Sequence, residues 1–123
     1  MRNRVHAKYG GRCAYCGEEI TVKQMQVDHI EPLHRGLMQL PEEIDRLSHI
    51  NNLNPACRPC NNRKRTHPLE EFRAEISAQV QRLRRDSNQF QLAERFGQVD
   101  ATGRPVMFWF ETHELQPWDN MCP

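Results

Sequence analysis

Residues 57–65 read Cys-Arg-Pro-Cys-Asn-Asn-Arg-Lys-Arg. Two cysteines separated by two residues supply half of a tetrahedral metal site, and the same spacing recurs at Cys13 and Cys16 within Arg-Cys-Ala-Tyr-Cys-Gly. Four thiolates fill every position of a Zn²⁺ ion and leave none open for chemistry, so the expected zinc is structural. Gly17 suits the tight turn of the first knuckle, and the second pair is expected to open a helix. A redox dithiol needs only one such pair and a surrounding βαβ pattern, which is missing. Disulfides are disfavoured in the reducing compartment that the absence of an export signal predicts.

The composition makes a staple useful. The chain has 123 residues, 37% of them hydrophobic, with a mean hydropathy of −0.84. That predicts one domain, residues 1–123, with a thin core to which metal binding adds folding free energy. No run approaches the roughly 20 apolar residues of a membrane span, and a soluble, cytoplasmic protein with no membrane association is expected. The formal net charge of +1 excludes a general polycation. Its distribution is uneven: residues 57–67 carry four Lys/Arg and no Asp/Glu, whereas 98–123 carry one against four. The basic block predicts a local grip on phosphate with a shallow salt dependence.

Between the cysteine pairs, Lys23 to Ile30 alternates Met25, Val27 and His29 with Gln24, Gln26 and Asp28, the period of a strand. Residues 33–51 read as a loop with at most one helical turn, and Asn52 to Pro55 as a short extended piece. Arg58 to about Thr66 reads as a short basic helix. Pro68 suits a first helical position, and Leu69, Phe72, Ile76, Val80 and Leu83 mark an amphipathic helix to about Arg85. Asp86-Ser87-Asn88 interrupts it before a second helical piece that stops at Gly97. The run from Val99 to Glu111 reads as two extended pieces around Gly103.

In order, the features are a knuckle, Asp28-His29-Ile30-Glu31-Pro32, Asn52-Leu53, and Cys-x-x-Cys-Asn61-Asn62-Arg63-Lys64. This frame resembles the HNH endonuclease family, in particular small phage-type members with a four-cysteine zinc site; LEEFRAEI and MFWFE are similar to their following helix and terminal strand. The resemblance implies an α+β fold. Its ββα-metal core, residues 10–66, is stapled by zinc, and a C-terminal extension, residues 67–123, adds a helix and a short β-hairpin or strand.

Hydrolysis of a phosphodiester needs a base to activate water, a cation to neutralise charge, and donors to hold the backbone. His29, with an ordinary pKa near 6.5, is suited to the first task, and the hard oxygens of Asp28 suit Mg²⁺. The resemblance implies the same division: His29 as general base, and Asp28 with Asn61 as ligands of one catalytic Mg²⁺ or Mn²⁺. It also implies that Asn52 braces the loop that aims the base. Adjacent strand residues point to opposite faces, so His29 is not expected to share the ion with Asp28. Lys64 and Arg63 are expected on DNA phosphates, helped by Arg58, Arg65 and Arg35. The function expected is a metal-dependent DNA endonuclease or nickase. The alternative is a catalytically silent, zinc-stapled DNA-binding or adaptor module. The expected partners are DNA, contacted mostly through its backbone, and a phage packaging-motor subunit; the chain is expected as a monomer or weak homodimer.

Overall fold

The strand period at residues 23–30 becomes β1, Gln26–His29, which pairs antiparallel with β2, Leu53–Ala56, so that Asp28 lies opposite Asn54 and His29 opposite Leu53. The computed structural model describes residues 1–32 and 40–113. Within that range the helices are α1 (Arg2–Ala7), α2 (Pro41–Leu47), α3 (Arg58–Lys64), α4 (Leu69–Ser77), α5 (Gln79–Asp86), α6 (Asn88–Arg95) and α7 (Trp109–Thr112), with a 3₁₀ turn at Ile50–Asn52. The α+β reading stands as a small two-stranded sheet among helices.

The described residues group into two compact units. One is Met1–Leu69 joined by the segment from Met107; the other is Glu70–Val106. The first unit has a small apolar centre of Val5, Met25, Ile50 and Leu53, with Ile20 and Val27 against it. Helix α1 packs on β2, and α3 packs on β1. The first cysteine pair docks on the free edge of β2 through the Ala14 N–H, which donates to the Pro55 carbonyl at 2.8 Å.

In the second unit the expected break falls where Ser87 caps α6, its hydroxyl accepting from the Phe90 N–H at 3.1 Å. Gly97, at φ +69°, follows the end of α6. Of the predicted apolar stripe only Phe72 is buried; Ile76 and Val80 are half-buried and Leu83 is exposed. The outer faces carry ion pairs instead, Arg82 with Glu75 and Arg84 with Glu94.

Three local expectations differ from the structure. Residues 41–47 form a full helix, because Pro41 starts it and Glu42 and Glu43 occupy the favourable first turn. Residues 101–108 form no strand or hairpin. The backbone just after them bonds to the first knuckle: Trp109 N–H donates to the Tyr15 carbonyl at 3.0 Å and Phe110 N–H to the Ala14 carbonyl at 2.8 Å. The Phe108 N–H bonds to the Glu111 carboxylate at 2.8 Å, which starts the helical turn α7. Finally, alternation placed Asp28 on the polar face of its strand, yet it is the buried residue of β1, only 3% exposed.

Candidate active site and metal centre

The four predicted zinc ligands converge. The sulfur atoms of Cys13, Cys16, Cys57 and Cys60 all lie within 4.8 Å of one another. Cys16 and Cys57 Sγ are 3.7 Å apart, close to the ~3.8 Å edge of a tetrahedron with ~2.3 Å zinc–sulfur bonds and far beyond a disulfide. The local backbone explains the convergence. The Gly17 N–H donates to the Cys13 carbonyl at 3.0 Å, and Gly17 adopts φ +81°. Cys57 is the N-cap of α3 with its thiol making no cap bond, and Pro59 occupies the first turn. The charge pattern also suits a cation. The Cys60 thiol, donating to Cys13, is the largest influence holding Cys13 down to about 4, while burial pushes Cys57 up to about 11. Cys60 is raised as well, chiefly by its bond to Cys13. A divalent ion in their midst would stabilise all four as thiolates.

The knuckle is closed by an aromatic cap that the sequence reading did not foresee. Tyr15, between the first cysteines, makes edge-to-face contacts with Phe108 at 5.3 Å and Phe110 at 5.9 Å between centroids. Trp109 lies against Gly17, and the Arg12 guanidinium sits 5.2 Å over its ring. Phe108 is buried and Trp109 and Phe110 are half-buried; their partner, Tyr15, is far away in sequence.

Behind β1 lies a buried polar group. The Tyr15 hydroxyl donates to Asp28 Oδ2. The Lys64 ammonium lies 3.3 Å from Asp28 Oδ1 and 3.2 Å from Oδ2, and donates to the His29 carbonyl at 2.9 Å. Burial, more than the neighbouring Asp28 charge, holds the Tyr15 phenol well above its usual range, so Tyr15 is the donor in that pair. Burial also raises the Asp28 carboxyl, against the opposing pull of Tyr15 and Lys64. Lys8, also buried, donates to the carbonyls of Ile50 and Leu53 and to Asn54 Oδ1 at 3.2 Å.

The expectation for Lys64 is therefore corrected: with 0% of its side chain exposed and its ammonium turned onto Asp28 and His29, it does not face a DNA backbone. A charge run cannot by itself distinguish a solvated cation from one that answers a buried carboxylate. Arg58, Arg63 and Arg65 are exposed, as expected. Arg65 ends α3 at φ 51° and bonds back to the Asn62 carbonyl at 3.2 Å. Arg35 lies outside the described residues.

His29 ends β1 and is half-buried. The turn after it is clamped by Asn52, whose side chain accepts from the Glu31 N–H at 2.8 Å and donates to the Glu31 carbonyl at 3.0 Å and the Leu47 carbonyl at 2.7 Å. The Asn52 carbonyl also accepts from the Ile30 N–H at 2.9 Å. Arg46 adds a two-point pair with the Glu31 carboxylate, which lowers that carboxyl's pKa. Asn61 is half-buried on α3, one turn before Lys64 and on the same side of the helix. A carboxylate and an amide oxygen suit Mg²⁺ or Mn²⁺, which take a few protein oxygens together with water. Tyr15 and Lys64 together take three of the roughly four lone-pair directions of Asp28, which is 3% exposed.

Residues 13–67 match the HNH endonuclease family. A comparison with curated proteins gives no match. Among solved structures, the Type II-C Cas9 enzyme from Actinomyces naeslundii is similar at 27% identity and a TM-score of 0.49, over 61% of this chain. The chain spans 8% of that protein's length. No helix among the described residues is long and apolar enough to cross a membrane. The span from the first knuckle to just past α3, residues 13–67, is thus the part of the chain that is similar to the HNH endonuclease family.

Proposed function

We propose that the chain is a metal-dependent DNA endonuclease or nickase in which His29 activates the attacking water. The observation that carries this reading is His29 at the end of β1, inside the family-matched span, with the following turn clamped at Glu31 by Asn52. His29 takes the proton from water on an imidazole nitrogen, a task for which an ordinary histidine is well poised near neutral pH. Asn52 holds the turn so that the imidazole keeps its aim. Asp28 and Asn61 hold the catalytic divalent ion. When bound, that ion supplies positive charge at the scissile phosphate and leaving oxygen. Arg58, Arg63 and Arg65 hold backbone phosphates, a contact that positions DNA without reading its sequence. The four cysteines hold a structural zinc.

Incubation with plasmid DNA and Mg²⁺ or Mn²⁺ should give nicked or linear product, and His29→Ala with zinc retained should abolish it. Full cleavage by a folded, zinc-loaded His29→Ala protein refutes the assignment. DNA binding without cleavage by the unaltered chain would identify a silent binding module instead.

A further inference from the structure

Lys64 carries the one charge in the basic block of residues 57–67 that is withdrawn from solvent. A lysine ammonium has three donors and no acceptor, and here its bonds are directed at β1: both Asp28 oxygens and the His29 carbonyl. We propose that Lys64 is a positioning residue for His29, rather than a phosphate contact. The inference rests on the reading of His29 as the base.

The argument is geometric. A residue at the end of a strand is held by its ladder on one side only. Lys64 takes the carbonyl of His29 itself, and Asn52 takes the next two N–H groups, of Ile30 and Glu31. The backbone that carries the imidazole is thus pinned from both directions, from α3 and from the 3₁₀ turn. Lys64 also fixes the side chain of the adjacent Asp28, so the two residues of the motif are referred to the same point on α3. Asn61 lies one turn earlier on that helix. An ammonium in this place is stabilised by the carboxylate it answers; in exchange it is lost to the DNA-facing surface. Misplacing a reacting group by about 1 Å costs on the order of 10²-fold in rate, and the Lys64 contact prevents a shift of that kind.

Two measurements test it. The chain contains three lysines, Lys8, Lys23 and Lys64, of which only Lys23 is exposed. Acetylation of the free protein with an amine-reactive acetyl ester should modify Lys23 readily. Lys64 should react at least about tenfold more slowly, as a group reached only through local opening does, and DNA should not change its rate. A Lys64 that reacts as fast as Lys23 and is protected by DNA overturns the proposal. In single-turnover cleavage, Lys64→Met should lower the rate on the order of 10²-fold, with DNA affinity and its salt dependence unchanged, and Lys64→Arg should recover part of the loss. A wild-type rate in folded, zinc-loaded Lys64→Met overturns the proposal. So does joint loss of zinc and folding in both variants, which would make Lys64 structural only. Undiminished cleavage by His29→Ala would defeat the underlying reading of the base and leave the acetylation result intact.

Discussion

Substituting Gly17 by alanine perturbs two things that can be separated. Gly17 adopts φ +81°, and a Cβ built on it would lie 2.4 Å from Trp109 Cε3 and 2.9 Å from Cδ2. The left-handed backbone costs an alanine about 1–2 kcal/mol. The ring cannot yield freely, because Arg12 lies over it and His113 stacks on it. Overpacking of this kind costs a further 1–3 kcal/mol or so. The sum, about 2–5 kcal/mol, should lower the melting temperature by about 10 °C or more for a domain of this size. The assay is thermal denaturation followed by circular dichroism at fixed free zinc, since bound metal contributes to the midpoint. In a Trp109→Ala background only the backbone part should remain, about 1–2 kcal/mol. The difference between the two backgrounds is the coupling of the aromatic cap to the knuckle. Equal costs in both would refute the placement of Trp109 against Gly17.

Removal of zinc by a chelator, or Cys57→Ser, should unfold the knuckle. Metal analysis of the intact protein should find about one zinc per chain, acid should release it because protons compete for the thiolates, and a stably folded metal-free protein would contradict the site. Asn52→Ala deletes bonds to Glu31 N–H, the Glu31 carbonyl and the Leu47 carbonyl. It should cost about 1–3 kcal/mol in denaturant unfolding and slow cleavage more than it weakens DNA binding; an unchanged rate would exclude a bracing role. Arg63→Ala should weaken DNA binding and lower the slope of log affinity against log salt by about 1, without altering the melting temperature; an unchanged slope would remove Arg63 from the phosphate-binding set.

What could be read from the sequence follows from how local each signal is. The cysteine pairs were legible because a two-residue spacing already fixes two ligands on one knuckle, and the cap of α6 because Ser87 and Gly97 act within a few residues of themselves. The two extended pieces around residues 27 and 54 followed from the alternation and Pro55, whereas their antiparallel pairing came only with the structure. The burial of Asp28 was not legible: period two sorts residues into faces but does not say which face is buried, and a carboxylate is placed outward unless its counter-ion is known. That counter-ion, Lys64, sits among arginines that are exposed, so composition gave it the same role as its neighbours. The aromatic run at 108–110 has strand-like composition, but its hydrogen-bonding partners are the carbonyls of Ala14 and Tyr15. No periodicity within the run could reveal a partner at the other end of the chain.

The aromatic cap also dictates an order of events in synthesis. All four cysteines and both strands have emerged once Cys60 is made, so the metal-bound frame can assemble early. The ring contacts of Phe108 and Phe110 with Tyr15, and the bond of the Trp109 N–H to the Tyr15 carbonyl, are added only when residues 108–110 arrive. The motif residues are therefore all present in the nascent chain well before the aromatic residues that pack on Tyr15.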